Sequence, residues 1–167
     1  FIEKNLFSMI KEVSGDIMLS SAQAIAHGVA PNDHFDSGLA LSLREAYPSM
    51  AKDFRHYCKT AAPEPGGAWI WGGADGKKVV NLMTQEPANG HGHPGHAKLQ
   101  HVGHALKSLA KIVKAEGLSS IALPRLATGV GKLDWHEVRP LIEQHLGGLG
   151  IPVFVYSTFV KGQKAAE

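Results

Sequence analysis

A glycine-containing loop between an apolar run and a predicted helix is the feature that most constrains the fold of this chain. The run covers residues 121–123, the loop carries Gly129 and Gly131, and Asp134 stands where the helix N-cap is expected. A strand, a glycine loop and a helix start are the components of a nucleotide site at the carboxyl edge of an α/β sheet. We expect both glycines to adopt positive φ, which lets successive N–H groups converge on an anion. Because a glycine-rich turn is more often only a turn, this interpretation needs support from the rest of the chain.

Strand and helix patterns alternate along the sequence. Strands are predicted at 7–13, 24–30, 69–72, 79–85, 119–123 and 153–158, and helices at 39–46, 49–59, 97–116 and 135–146. Asp75-Gly76 lies between two apolar runs and predicts a tight antiparallel hairpin, whereas the other strands are joined by long crossovers. The pattern predicts an α/β fold, a three-layer α/β/α sandwich with a mixed, largely parallel central sheet.

Composition limits the classes of protein to which the chain can belong. Its 167 residues suit one domain over 1–167, and a net charge of +2 gives no general attraction to nucleic acid or membrane. The single cysteine, Cys58, excludes an internal disulfide and favours a reducing, cytoplasmic location. No apolar run reaches the roughly 18 residues that a membrane span needs.

Three loops are expected at one edge of the sheet, because the loops that follow parallel strands open on the same side. They are 31–38, 85–96 and the glycine loop, and together they would form a cleft. Asp16 follows the first strand. Its carboxylate is either an acceptor for an exocyclic amine of a bound base or an ordinary turn and cap residue.

Taken together, five segments resemble the macrodomain family, the ADP-ribose-binding module. They occur in the family's order over nearly the whole chain: Gly15-Asp16-Ile17, Ala26-His27-Gly28-Val29, Ser37-Gly38-Leu39-Ala40-Leu41, Asn81-Leu82-Met83-Thr84-Gln85, and residues 123–131 with Trp135. The resemblance is strongest to the branch that contains the terminal ADP-ribose protein glycohydrolase and the ADP-ribose-1''-phosphate phosphatases. It implies that ADP-ribose or an ADP-ribosylated substrate is the partner, with nucleic acid bound only as a modified substrate.

The resemblance also implies a role for individual residues. Asp16 would read the adenine amine and Ile17 would line the adenine pocket. Phe159 would lie against adenine, or would instead be a core or cap residue at the end of the last strand. The segment Ser37-Gly38-Leu39 would face the distal ribose. The diphosphate would be wrapped by Ala127, Thr128, Gly129, Val130 and Gly131.

Two departures from the family bear on activity. Glycohydrolases of this branch use a lysine and an aspartate, and the corresponding positions here are Gln85 and Gly131. An amide is not a nucleophilic amine and glycine has no side chain, so a covalent lysyl mechanism is not available. Gln85 is therefore expected to contact the ligand only.

Acid–base chemistry is then expected in the first loop, which carries Asp33, His34 and Asp36. A carboxylate and an imidazole there could activate water and protonate a leaving group. The alternative is that the aspartates form turns and the histidine is solvated.

Histidine is concentrated in one stretch, at 91, 93, 96, 101 and 104, which is half of the ten in the chain. A zinc or copper site is one interpretation, but the stretch has no cysteine and no HExxH pattern. We expect no metal and no cofactor, and interpret residues 85–96 as a glycine-rich lid over the distal side of the cleft.

Two functions remain open on the sequence. One is hydrolysis of an ADP-ribosyl linkage or of ADP-ribose-1''-phosphate by a mechanism without lysine. The other is binding of ADP-ribose without turnover.

Overall fold

A parallel sheet with one antiparallel edge strand forms the middle of the structure. The computed structural model describes residues 8–88 and 93–167. Within these residues the strands are β1 (Ile10–Gly15), β2 (Ala24–Val29), β3 (Ala68–Gly72), β4 (Lys78–Met83), β5 (Gln85–Ala88), β6 (His93–Ala97), β7 (Ile121–Pro124) and β8 (Val153–Phe159). The central sheet has the order β1-β8-β7-β2-β4-β3, in which β3 alone is antiparallel to its neighbour, while β5 and β6 pair separately.

Helices cover both faces of the sheet. They are α1 (Gly38–Ala46), α2 (Pro48–Ala61), α3 (Leu99–Glu116) and α4 (Trp135–Leu146), with a short 3₁₀ turn at Ile17–Leu19. Buried side chains of α1 and α2, such as Leu43 and Phe54, form one apolar cluster with the sheet. Leu106 of α3 and Ile142 of α4 belong to the cluster on the opposite face. The predicted three-layer fold is confirmed.

The helix ends follow local signals in the sequence. The Asp134 carboxylate accepts a hydrogen bond from the His136 N–H at 2.9 Å and caps α4, which begins at the predicted residue. Gly117 ends α3 in the left-handed conformation at φ 62°. In the described part of the chain, no helix has both the length and the apolarity to span a bilayer.

The segment after β4 contains a β-ladder, whereas the sequence predicts a glycine-rich lid over residues 85–96. Residues 85–88 pair with 93–97 in an antiparallel ladder, and positions 89–92, including His91 and two glycines of the predicted lid, lie outside the described residues. The ladder was missed because Pro87 pairs opposite Pro94, and proline is a poor indicator of strand. Helix α3 therefore begins at Leu99 rather than at Ala97, whose N–H donates to the Gly131 carbonyl at 3.0 Å.

The first strand is also displaced from its prediction. It was expected at 7–13 and ends instead at Gly15, while residues 1–7 lie outside the described part. Pairing with β8 continues past an irregularity between Val13 and Ser14, so the strand extends to the predicted turn at Gly15-Asp16 instead of ending at Val13. Asp16 thus follows directly the carboxyl end of β1.

Candidate functional site

A cleft lies along the carboxyl edge of the sheet and consists of two cavities. The first, of about 260 Å³, is walled by the ends of β2 and β7, the start of α1 and the loop 125–131; we call it the glycine-loop cavity. The second, of about 520 Å³, is walled by Asp16, the 3₁₀ turn and the end of β8; we call it the Phe159 cavity. Both include Gly38, Leu39 and Pro124 in their walls, so they adjoin.

The backbone of the glycine loop was expected to have positive φ at Gly129 and Gly131. This prediction is wrong, since neither glycine has a positive φ. The left-handed residues are Ala127 at φ 61° and Lys132 at φ 68°. Glycine at 131 is required by packing instead, since a Cβ there would lie 2.6 Å from the Ala127 carbonyl oxygen and 2.9 Å from the Ala97 Cβ. A Cβ on Gly129 would meet no described atom within 4 Å, so this position is open toward the cleft.

Three successive amides of this loop are available to a ligand. The N–H groups of Lys132 and Leu133 bond within the loop, at 3.1 Å to the Gly129 carbonyl and 2.9 Å to the Ala127 carbonyl. Among the described residues, none accepts a hydrogen bond from the N–H groups of 129–131. Consecutive unpaired amides in a concave loop form an anion-binding site without a lysine.

The start of α1 faces the same cavity. Residues 37–40 line it, and the side chain of the N-cap residue Ser37 makes no capping hydrogen bond. The first N–H groups of a helix have no partner within the helix and carry the positive end of its dipole. The cavity therefore has amide donors on two sides, as a diphosphate would require.

Asp33 is buried at 8% exposure, and it holds the first loop together. Its two carboxylate oxygens accept hydrogen bonds from the Ala30 N–H at 3.1 Å and from the Phe35 N–H at 2.9 Å. Burial raises the pKa of this carboxyl group, against the effect of the two amides. These contacts support the unusual φ of 58° at Phe35, which packs 5.1 Å from the ring of Phe54.

Asp36 and His34 differ in their position relative to the cleft. The Asp36 carboxylate lines the glycine-loop cavity and pairs with the Arg44 guanidinium at 2.8 Å. His34 is exposed and is not part of either cavity wall, and its carbonyl accepts a second hydrogen bond from Arg44 at 3.1 Å. The structure therefore does not bring His34 together with the two aspartates at the cleft.

Gln85 lies in the wall of the glycine-loop cavity as a buried amide. Its Nε2 donates to the Gly95 carbonyl at 3.1 Å, which connects β5 to β6. Next to it, the Thr84 hydroxyl is buried and has no hydrogen-bond partner in the described structure. This hydroxyl lies only 2.7 Å from the position that a Cβ on Gly28 would occupy, so the end of β2 requires glycine.

His27 is a cleft residue that we did not single out as a site residue from the sequence. Its Nε2 lies 2.6 Å from Asn81 Oδ1, while Asn81 Nδ2 donates to the Met50 sulfur at 3.7 Å. This arrangement assigns the ring proton to Nε2 and leaves Nδ1 as an acceptor. Burial lowers the pKa of His27 to about 4, although the bond to Asn81 opposes the shift, so the ring is neutral at pH 7.

Asp16 and Ile17 lie at the other end of the cleft, in the Phe159 cavity. Asp16 is a cap residue, because its Oδ1 accepts a hydrogen bond from the Met18 N–H of the 3₁₀ turn at 3.0 Å. It also lines the cavity, so it is positioned to accept a hydrogen bond from a ligand as well. Oδ2 accepts from the Gly162 N–H at 3.0 Å. Each oxygen has a second lone pair, so the carboxylate can accept a further hydrogen bond from a ligand.

Phe159 borders the same cavity and is 65% exposed, which excludes the core alternative for this residue. An exposed aromatic ring beside an apolar cavity is available for stacking on a flat ligand.

Of the fifteen predicted site residues, all but His34 and Thr128 lie in the walls of the two cavities. The sequence reasoning missed further wall residues, including Met18, Ser42, Arg125, Tyr156 and Lys161.

The histidine-rich stretch forms no metal site in the part that the structure describes. Among those residues, no three histidine, cysteine, aspartate or glutamate side chains are grouped to hold an ion. His101 Nε2 instead lies 3.4 Å from Glu86 Oε2, and Lys98 Nζ lies 3.2 Å from Glu86 Oε1. The absence of a metal stays a prediction, since His91 is outside the described residues.

Comparison with known families settles the relationship. A family model described as Macro domain matches residues 21–142, well over half of the chain. The chain belongs to the Macro domain family. Asp16 and Phe159 lie outside the matched residues, whereas the whole glycine loop lies inside them.

Known proteins resemble this macrodomain along most of its length. The DNA ADP-ribosyl transferase–DNA ADP-ribosyl glycohydrolase fusion protein of Thermosipho africanus is 27% identical over 168 residues, which cover 92% of this chain and 43% of that protein. The solved macrodomain of Thermus aquaticus DarG has a TM-score of 0.79 at 26% identity, with coverage of 89% of this chain and 98% of that one. Thermosipho africanus DarTG in complex with ADP-ribose has a TM-score of 0.79 at 22% identity, covering 93% of this chain and 42% of that one. The chain spans less than half the length of the DNA ADP-ribosyl glycohydrolases that it matches.

Proposed function

We propose that this macrodomain binds ADP-ribose and hydrolyses an ADP-ribosyl linkage without a lysine nucleophile. The observation that carries the proposal is the pair of adjoining cavities with amide donors between them. ADP-ribose contains a flat base, two phosphates and a distal sugar in that order. Along the cleft, a cavity bordered by an aromatic ring is followed by backbone amide donors and then by a polar end, which is the matching order. The similar structure of Thermosipho africanus DarTG in complex with ADP-ribose supports this assignment.

Each part of the ligand has a proposed position. Adenine would stack on Phe159, which contributes about 1 to 3 kcal/mol at comparable aromatic platforms, and its amine would donate to Asp16. Ile17 would line the adenine pocket. The diphosphate would accept hydrogen bonds from the amides of the loop 127–131 and from the start of α1. The distal ribose would then lie at the end of the glycine-loop cavity, against Gln85 and the segment Ser37-Gly38-Leu39.

For hydrolysis we propose Asp36 as the group that activates water. Its carboxylate lies in the wall of the glycine-loop cavity and pairs with the Arg44 guanidinium at the surface, whereas Asp33 is buried and holds two backbone amides. In this step the water oxygen attacks the anomeric carbon of the distal ribose, and the bond from that carbon to the acceptor breaks. The water proton passes to Asp36, and the departing acceptor keeps the electron pair and takes a proton from solvent.

ADP-ribosylated DNA is the first substrate that we propose to test. Proteins named DNA ADP-ribosyl glycohydrolase are similar to this chain over most of its length. The net charge of +2 supplies no general affinity for DNA, so recognition would depend on the ADP-ribosyl group itself.

Binding without turnover is the second candidate function. It is favoured by the engagement of the polar groups at the distal end, where Asp33, Gln85 and His27 each bond to the protein itself. A reader of ADP-ribose would need the amide donors and the adenine pocket but no free acid or base.

Product release decides between the two functions. The protein would be incubated with an ADP-ribosylated DNA oligonucleotide, an ADP-ribosylated protein and ADP-ribose-1''-phosphate, and free ADP-ribose measured by chromatography, with Asp36→Asn as the control. We expect release from at least one substrate and its loss in the variant. Tight ADP-ribose binding with no release from any substrate would establish the reader, and no binding at millimolar ADP-ribose would refute both.

Two broader proposals concern the chain as a whole. We propose that one domain extends over 1–167, because β1, β8 and the residues after β8 complete the sheet and the cleft outside the matched region. We also propose a reducing, cytoplasmic setting, since Cys58 is a free and buried thiol whose sulfur accepts a hydrogen bond from the Asn32 N–H of the first loop. Limited proteolysis with mass spectrometry tests the first proposal, and fractionation of cells tests the second.

A further inference from the structure

The residues that follow β8 return to contact Asp16 directly. We call residues 160–167 the C-terminal segment. The Gln163 carbonyl accepts a hydrogen bond from the Asp16 N–H at 2.7 Å, and the Gly162 N–H donates to Asp16 Oδ2 at 3.0 Å. Both the backbone and the carboxylate of Asp16 are therefore fixed by a segment about 146 residues later in the chain.

The segment packs against the end of β1 so closely that no side chain fits between them. A Cβ on Gly15 would lie 2.8 Å from the Gln163 carbonyl oxygen and 2.9 Å from the Ala165 Cβ. Ala165 is itself buried. The contact is thus part of the core at this end of the sheet, rather than a loose terminal extension.

Glu167 anchors the far end of the segment. Its carboxylate accepts hydrogen bonds from the Ser20 hydroxyl at 2.5 Å, from the Ser21 N–H at 3.0 Å and from the Tyr156 hydroxyl at 2.5 Å. Three donors converging on one partly buried carboxylate make a charge-assisted cluster, which is stronger than the same number of neutral bonds. Removal of the carboxylate leaves these donors without their acceptor.

The anchored residues are continuous with the wall of the Phe159 cavity. Tyr156 lines this cavity, and its hydroxyl donates a hydrogen bond to the Glu167 carboxylate. Lys161 of the C-terminal segment lines the cavity as well. Ser20 follows the 3₁₀ turn that Asp16 caps. The segment lies outside residues 21–142, so it is not part of the pattern by which the family is matched.

We propose that the C-terminal segment determines base specificity, with Glu167 as a positioning residue that acts through Asp16. The segment holds the Asp16 carboxylate in the one orientation in which its free lone pairs face the Phe159 cavity and read an exocyclic amine. This inference rests on the proposed binding of ADP-ribose. It predicts that loosening the anchor weakens recognition of adenine specifically, rather than binding as a whole.

The test compares ADP-ribose with inosine diphosphate ribose, whose hypoxanthine base has no exocyclic amine. Dissociation constants for both would be measured by calorimetry for the wild type, Glu167→Ala and Glu167→Gln. Lys164→Ala is the matched control, since this exposed residue of the same segment makes no contact with the anchor. We expect the wild type to prefer ADP-ribose about 10- to 100-fold, the usual value of one charge-assisted hydrogen bond.

In Glu167→Ala this preference should fall by about fivefold or more, while the affinity for inosine diphosphate ribose changes less than about twofold. Lys164→Ala should keep the wild-type ratio. An unchanged ratio in Glu167→Ala, or equal weakening of both ligands, would refute the positioning role. If Glu167→Ala does not fold, the ratio in Glu167→Gln decides by the same criterion. No binding of ADP-ribose by the wild type would refute the proposed function itself, whereas wild-type binding with an unaffected ratio refutes this inference alone.

Discussion

The two ends of the cleft use their polar groups differently. In the Phe159 cavity, Asp16 is oriented by the protein and keeps lone pairs for a ligand, and the ring of Phe159 is exposed. In the glycine-loop cavity, the side chains of Asp33, Gln85 and His27 are engaged with the protein's own groups. The comparison teaches that binding groups are presented to the cleft at one end, whereas most groups capable of chemistry at the other end stabilise the fold.

The amide cradle, formed by the N–H groups of residues 129–131 and of the start of α1, would let an anion bind between the two ends with few charged side chains. Backbone N–H groups of the glycine loop and of α1 are fixed by the fold, so they need no ordering when an anion binds. A lysine would have to lose side-chain entropy for the same contact. Backbone amides alone cannot activate water, so the proposed hydrolysis needs a side chain, and Asp36 is the one that we propose.

Replacement of Asp36 gives the largest expected effect on this comparison. Asp36→Asn removes the proposed base while keeping the side-chain shape, and we expect turnover to fall by about 10²- to 10⁴-fold. The affinity for ADP-ribose should change little, and loss of the exposed pair with Arg44 should lower stability by less than about 1 kcal/mol. Single-turnover kinetics on an active substrate, together with calorimetry, measures both quantities.

Two neighbours serve as controls for that variant. His34→Ala should retain wild-type turnover, because the residue is exposed outside both cavity walls. Asp33→Asn should lower the melting temperature, because its carboxylate holds two backbone amides. Wild-type turnover in Asp36→Asn, or a large loss of turnover in His34→Ala, would reverse the assignment.

A negative charge in the glycine loop is expected to abolish the binding of ADP-ribose without unfolding the protein. Gly129→Glu places a carboxylate where the diphosphate would lie, and we expect affinity for ADP-ribose to fall about 100-fold or more. The fold should survive, because a Cβ at this position meets no described atom and the backbone is not left-handed there. Gly129→Ala is the matched control and should bind within a few fold of wild type.

Gly131 provides the contrast within the same loop. Gly131→Ala would place a Cβ 2.6 Å from the Ala127 carbonyl, and overpacking of this kind costs about 1 to 3 kcal/mol. Thermal unfolding of the two alanine variants separates the positions. Equal loss of stability in Gly129→Glu and Gly131→Ala would mean that the loop is structural throughout.

Acidification should lower the free energy of unfolding through the buried imidazole of His27 in the glycine-loop cavity. Burial holds the pKa of His27 at about 4 in the fold, against about 6.5 for an unperturbed histidine side chain. Between these pH values the unfolded chain binds the proton at this ring and the folded chain does not. The contribution of His27 to the free energy of unfolding is therefore fully present above about pH 6.5 and decreases as the pH falls toward 4. At pH 5 the loss from this group is about 2 kcal/mol.

Urea unfolding at pH 7 and pH 5 measures that loss in the wild type and in His27→Gln. The variant has no group that titrates at this position, so it should lose about 2 kcal/mol less than the wild type. Identical pH dependence in the two proteins, or a His27 ring that titrates near 6.5 by NMR, would show that the ring is not buried and neutral.

The smallest expected effect is at Gln85. Its amide can orient a ligand but cannot exchange a proton at neutral pH, so Gln85→Ala should lower turnover by less than about tenfold. Part of any loss would come from the bond to Gly95, which connects β5 to β6. A reduction as large as that of Asp36→Asn would place the chemistry at β5 instead of the first loop.

Local signals explain what could be predicted of the fold. The start of helix α4 was predicted correctly because Asp134 caps it through a bond to the N–H two residues later. The sheet followed from alternating patterns of strand and helix. The β5–β6 ladder was missed because Pro87 and Pro94 hide a strand from any propensity argument.

The parts of the site that were not predicted depend on contacts distant in sequence. The left-handed residues of the glycine loop are Ala127 and Lys132 rather than its glycines, and the space around Gly131 is limited by Ala97, which belongs to β6. The bond between His27 and Asn81 joins residues 54 positions apart on neighbouring strands. Such pairings arise from tertiary structure, and composition or periodicity does not encode them.

Calorimetric titration of the wild type with ADP-ribose, AMP and ribose 5-phosphate tests the central claim most directly. If the cleft binds base, diphosphate and distal ribose in its two adjoining cavities, ADP-ribose should bind at least about tenfold tighter than AMP, and ribose 5-phosphate should bind more weakly still. Absence of heat with ADP-ribose at millimolar concentration, or equal affinity for ADP-ribose and AMP, would contradict the claim.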